Sequence, residues 1–191
     1  MLKFVFLFLT ASQLLFAESK KCDLDKYQKS LDEVQTLELN FDQYVNEKYY
    51  SSGVIYLKKP DKMLIDYNKG EINSIILING NVITYYDKDL EQFSHLPKKN
   101  LPIYEVLKNK IKLSDLQIIK CEKIGNSYQI NFLHKDDFFN GEFAFSFDLI
   151  DFSLKKISSM QNNEIIALNL KILNKNTEIS DKKFIIKNNN L

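Results

Sequence analysis

The chain has 191 residues, 45% of them hydrophobic, and carries 26 basic against 25 acidic side chains for a formal charge of +1. That length fills one core of ordinary size. A charge so balanced and so dispersed excludes the basic footprint of a nucleic-acid binder and the field expected of a polyanion receptor. Every basic residue is lysine, because no arginine occurs, and the aromatic content comes from 14 Phe and 10 Tyr without Trp.

Residues 1–17, MLKFVFLFLTASQLLFA, place Lys3 before an apolar run from Phe4 to Phe16 and a small residue, Ala17, before Glu18. This is the pattern of a secretory leader cleaved after Ala17. The run is shorter than the roughly 20 residues that span a bilayer and is interrupted by Thr10, Ser12 and Gln13, so an anchor is disfavoured. The expected mature chain, 18–191, is one domain with equal numbers of acidic and basic residues. Two cysteines remain, Cys22 and Cys121; an exported protein can join them, and two separate thiols fit the spacing equally well. Lipidation of Cys22 is excluded by Glu18, Lys20 and Lys21, which stand where a lipoprotein signal needs small and apolar residues.

Apolar residues at Leu24, Tyr27, Leu31, Val34 and Leu37 predict an amphipathic helix, with Asp23 or Asp25 as its cap. From Thr36 the period becomes two, with Leu37, Leu39, Phe41, Gln43 and Val45 on one face of a strand. In YLKKPDKMLIDY, residues 56–67, a charged knot around Pro60 breaks one strand from the next. Val54 to Leu57 and Ser74 to Ile78 are apolar on both faces and predict central strands, covered on the outside. Asn79-Gly80 and Gly125-Asn126 mark hairpins. Helical spacing returns only at Ile103, Val106, Leu107 and Ile111, after Pro97 and Pro102. The later strands alternate: Tyr128, Ile130 and Phe132; Phe143, Phe145 and Phe147; Ile166, Leu168, Leu170 and Ile172. The whole predicts one long antiparallel sheet, and a sheet of that length curls into a barrel or half-barrel.

Chemistry-bearing motifs are sparse. The five glycines are too scattered for a phosphate loop, and no nucleophile elbow, HExxH or CxxC occurs. His134, Asp136 and Asp137 read better as a solvated turn than as metal ligands. Asp87, Asp89 and Glu91 alternate as hydrolase carboxylates would, but a charged strand end explains them more simply. No catalytic residue, metal or cofactor is assigned. The surplus of inward apolar faces fits either a ligand cavity or a densely packed core.

Specific residues go further. Asn40-Phe41-Asp42-Gln43, then Ser52-Gly53-Val54-Ile55-Tyr56-Leu57-Lys58-Lys59-Pro60-Asp61-Lys62-Met63, resemble the signature of the LolA family of periplasmic lipoprotein carriers. The glycine-centred hairpin with Tyr86-Asp87, the Leu90-Glu91-Gln92 segment, Leu101-Pro102 before an apolar helix, and Asp181 with Phe184 in a closing strand continue the match. The resemblance implies an incomplete antiparallel barrel of about eleven strands, closed by a helical lid over a hydrophobic cavity. It implies a monomeric, non-enzymatic periplasmic carrier. Its partners would be acylated outer-membrane lipoproteins, an inner-membrane lipoprotein-releasing ABC transporter and an outer-membrane receptor. Leu39, Phe41, Ile55, Leu57, Met63, Ile65, Ile83, Tyr85, Phe143, Phe145 and Phe147 would line the cavity. Lys59 stands where the family usually has an arginine that holds the lid, whose side of the contact would fall near Val106 and Leu107; lysine keeps the charge and loses the planar fork. The alternatives are a sensing module of the same fold, a lipidated receptor, or a hydrolase using Asp87, Asp89 and Glu91.

Overall fold

The computed structural model describes residues 22–80, 82–96, 112–135, 140–161 and 163–186. Val106, Leu107, Asp136 and Asp137, and the helix expected from Ile103, lie outside them. Among the described residues one α-helix, α1 (Asp25–Asp32), precedes eleven strands: β1 (Thr36–Val45), β2 (Lys48–Lys58), β3 (Lys62–Gly70), β4 (Ser74–Asn79), β5 (Val82–Asp87), β6 (Gln92–Leu96), β7 (Gln117–Ile124), β8 (Ser127–Lys135), β9 (Asn140–Asp148), β10 (Leu154–Gln161) and β11 (Glu164–Lys175). All belong to one antiparallel sheet in the order β6-β5-β4-β3-β2-β1-β11-β10-β9-β8-β7. Two meanders therefore meet where β1 pairs with β11, and β6 and β7 remain as open edges: the barrel is incomplete.

Alternation dictates which face is which. In β1, Leu37, Leu39, Phe41 and Gln43 are buried on the concave side while Asn40 and Asp42 face out. Gly53 sits where no side chain fits, since a Cβ there would collide with the Asp66 backbone and the Phe41 ring. Asn79 stays in β4 opposite Val82, so the hairpin turn begins at Gly80, whose φ of +62° suits a residue without a Cβ, one position later than the sequence pattern places it.

Three further details differ from the sequence reading. Leu24 occupies the N-cap position of α1 and no side chain caps the helix; Asp23 instead pairs with Lys26 at 3.1 Å and Asp25 lies in the first turn. Asp87 ends β5 and its carboxylate accepts the amides of Asp89 and Leu90, so these acids build a turn and do not project together from a strand. Asp181–Phe184 is a 3-10 turn, not a closing strand. It packs on the convex side of β3 and β4, where Tyr56, Leu64 and Leu77 stand opposite one another. Phe184 is buried, Lys183 lies 4.0 Å from the centroid of the Tyr56 ring, and Asp181 pairs with Lys58 and Lys62 at 2.6 and 3.1 Å. This strap is why the central strands are apolar on both faces.

The interior divides in two. One cluster gathers Leu37, Leu39, Phe41, Ile55, Leu57, Met63, Ile65, Ile78 and Ile83 from β1 to β5. The other sets Tyr27 and Leu31 of α1, with Leu113, on Ile130, Phe132, Phe143, Phe145 and Phe147. Leu168 and Leu170 of β11 pack against both. Each such side chain removed from water contributes about 1.5–3 kcal/mol before conformational entropy is set against it.

Candidate ligand-binding cleft

Among the described residues the seam between the two clusters is not closed. Leu39, Phe41, Ile55, Met63 and Ile65 form one wall of a cleft; Leu168, Leu170 and Ile172 form its back; Leu31, Leu154 and Ile157 form the opposite side. It holds about 790 Å³ of space between atoms, counting what is open to solvent. The wall is nearly all hydrocarbon, because β1, β2, β3 and β11 present their alternate residues to the same concave side. Tyr67 is a polar exception. Its hydroxyl donates to Gln43 Oε1 at 2.9 Å, its ring meets Phe41 edge-on at 5.0 Å, and burial pushes its pKa up to about 12.

One end of the cleft is framed by α1 and its connection to β1, through Ser30, Leu31 and Val34. The helix is fixed at several points. Cys22, just ahead of it, is bonded to Cys121 of β7, with Cα atoms 5.8 Å apart. Gln28 Oε1 accepts the Leu113 amide at 2.8 Å. At the C-terminal end Lys59 Nζ donates to the carbonyl oxygen of Leu31 at 2.8 Å, while the Lys59 amide donates to Gln35 O. A cation beside the last carbonyls of a helix meets their partial negative charge. Burial lowers the pKa of the Lys59 ammonium; nearby Lys175 lowers it further and Asp32 opposes both. The turn that carries Lys59 is the one interrupted by Pro60, so the charged knot in the sequence is the hinge point between β2 and β3 that reaches back to α1.

The remaining sequence-predicted residues lie elsewhere. Leu57 and Ile83 are buried within the first cluster behind the wall. Tyr85 is half-buried on β5, opposite Ile76 and Ser94. Phe143, Phe145 and Phe147 do not border the cleft: Phe132 stacks on Phe143 at 5.6 Å and meets Phe145 at 4.7 Å, and Tyr27 lies 4.9 Å from Phe147, so neighbouring rings fill the space in front of them. Conversely, the back of the cleft comes from β11, whose alternation of Leu168, Leu170 and Ile172 is plain in the sequence. What the sequence does not display is that β11 closes against β1, more than a hundred residues earlier. Among the described residues no three His, Cys, Asp or Glu side chains gather as metal ligands. No described helix is long and apolar enough to cross a membrane.

The fold resembles that of a solved protein. The crystal structure of MucB superposes with a TM-score of 0.50 at 12% identity, covering 86% of this chain and 63% of MucB. Lipoprotein LppX of Mycobacterium tuberculosis gives 0.44 at 12% identity, covering 77% and 90%. LprF from Mycobacterium bovis gives 0.40 at 8%, covering 82% and 95%. No curated protein matches the chain by sequence. The family described as outer membrane lipoprotein carrier protein LolA matches residues 32–187, from the last turn of α1 to just beyond the strap. The sheet, the strap and the lining of the cleft apart from Ser30 and Leu31 fall within that match, and the chain belongs to the LolA family of outer membrane lipoprotein carriers.

Proposed function

We propose that this protein is an exported, periplasmic carrier that shelters the acyl chains of lipoproteins released from the inner membrane and delivers them to the outer membrane. The observation that carries the reading is the hydrocarbon-walled cleft between α1 and the concave face of the sheet. An acyl chain left in water costs on the order of 10 kcal/mol, at about 0.8 kcal/mol per methylene, and an apolar groove of this kind offsets that cost. Release matters as much as capture. A cleft that the described residues leave unsealed suits a site that must give up its cargo as well as take it. In this reading Lys59 is the latch of the lid expected near Val106 and Leu107, with a single ammonium doing the work of a planar guanidinium. An inner-membrane ABC transporter and an outer-membrane receptor are the partners such a route requires, and no step calls for a catalytic residue or cofactor.

Mass spectrometry of the protein purified from periplasm tests this. The reading expects co-purifying acylated lipoprotein, lost on mild detergent washing. Protein recovered with free lipid but never with lipoprotein would instead make it a lipid-sensing module of the same fold, and protein recovered empty under all conditions would contradict both.

A further inference from the structure

The cleft has a charge at one end that its hydrocarbon wall does not need. β11 alternates inward at Leu168, Leu170 and Ile172, opposite Gln43, Phe41 and Leu39 of β1. Continued alternation would turn Asn174 inward and leave Lys175 outside. The register instead shifts between Glu38 and Leu39: Leu39 faces Ile172, Glu38 faces Asn174, and Leu37 faces Lys175. Leu173 is the extra residue of this bulge and is exposed. A bulge of this kind re-aims the side chains beyond it. Asn174 turns outward and donates to Glu38 Oε2 at 2.8 Å, and Lys175 joins Leu37 on the concave side, where it borders the cleft.

Lys175 is the one charged residue on the cleft wall among the described residues. The hydroxyl-bearing Ser30 and Ser153 line the same cleft. Its recorded ion partner, Glu33, is loose, with 3.8 Å between Nζ and Oε2, and the lysine side chain keeps 36% of its exposure. The other acid near this end, Asp32, is bonded to Gln28 at 2.7 Å, and neither acid borders the cleft. A molecule lying in the groove therefore meets hydrocarbon along its length and, at one end, a cation with no competing anion on the wall among the described residues.

We infer that the cleft accepts, besides neutral acyl chains, amphiphiles with an anionic head group, and that Lys175, turned inward by the bulge at Leu173, is the counter-ion for that head. This rests on the cleft being an acyl-chain site. The shared chemistry is a single hydrocarbon chain ending in a carboxylate or a phosphate monoester. A partly exposed ion pair of this kind raises affinity about fivefold, and less as salt screens it.

Calorimetric titration of the purified protein at low ionic strength with decanoate, decyl phosphate and decanol tests the inference. The expected result is an anion-to-alcohol affinity ratio of about five that falls to about one in Lys175→Gln and returns in Lys175→Arg. Whichever anion binds more tightly identifies the head-group class. Equal binding of anion and alcohol by the unaltered protein, or a preference that survives Lys175→Gln, would overturn it while leaving the acyl-chain site standing. Failure of all three amphiphiles to bind would overturn the acyl-chain site itself and the inference with it.

Discussion

Lys59 connects three parts of the molecule: its amide reaches Gln35 ahead of β1, its ammonium reaches the last turn of α1, and its own position directly follows β2. The break in the strand was legible from Pro60; the partner of the lysine was not, because the Leu31 carbonyl comes within reach only after α1 has docked. Lys59→Leu removes a charge-assisted hydrogen bond but leaves the Leu31 oxygen the Val34 amide at 3.3 Å. It also removes a charge that burial disfavours. We expect about 1 kcal/mol of destabilisation in urea titration and faster cargo release; unchanged uptake and release would remove the latch role. Tyr67 gives a second residue-level test. A buried tyrosine held neutral contributes stability that is complete below the ordinary value of 10 and is lost as pH rises from there through about 12. Alkaline difference spectra between the wild type and Tyr67→Phe should isolate one phenol ionising near 12. A difference centred at the ordinary tyrosine value would contradict its burial against Gln43.

At the scale of elements, α1 shows how little of its role lies in its own sequence. Its apolar spacing announced a helix, yet its length is only eight residues, too short to persist alone in water. Tyr27 and Leu31 bury it, and the Cys22–Cys121 bond ties it to β7 across 99 residues. Spacing could not distinguish that bond from two thiols; the fold decides by setting the segment before α1 beside β7. Closing so long a loop restricts the unfolded chain, so Cys22→Ser should lower the unfolding free energy by about 2–5 kcal/mol. A reductant should bring the wild type to the same denaturation curve, whereas an unchanged midpoint would mean that α1 is held by packing alone. The bulge at Leu173 was illegible for a different reason. Nothing in LKILNK marks where two strands slip by one residue, since the slip is defined only against β1.

For the whole molecule, alternation gave one long sheet that curls into a barrel or half-barrel, whereas the incomplete barrel of about eleven strands and its cavity came from the resemblance to the LolA family. A closed barrel with these walls would bury the seam; here the two meanders meet at β1 and β11, and the described residues leave a cleft between their cores. The Phe-rich strands looked like lining but became the foundation on which α1 rests, because rings on adjacent strands fill each other's space before any ligand can. In the proposed carrier the acyl chains of lipoproteins lie against the concave face of β11. Photo-crosslinking in the periplasm reads this contact, with a photoreactive side chain placed at Ile172, which borders the cleft, or at Lys171, the adjacent residue on the convex face. Adducts with acylated lipoprotein from position 172 and none from position 171 are predicted; equal labelling from both, or labelling from 171 alone, would contradict the claim.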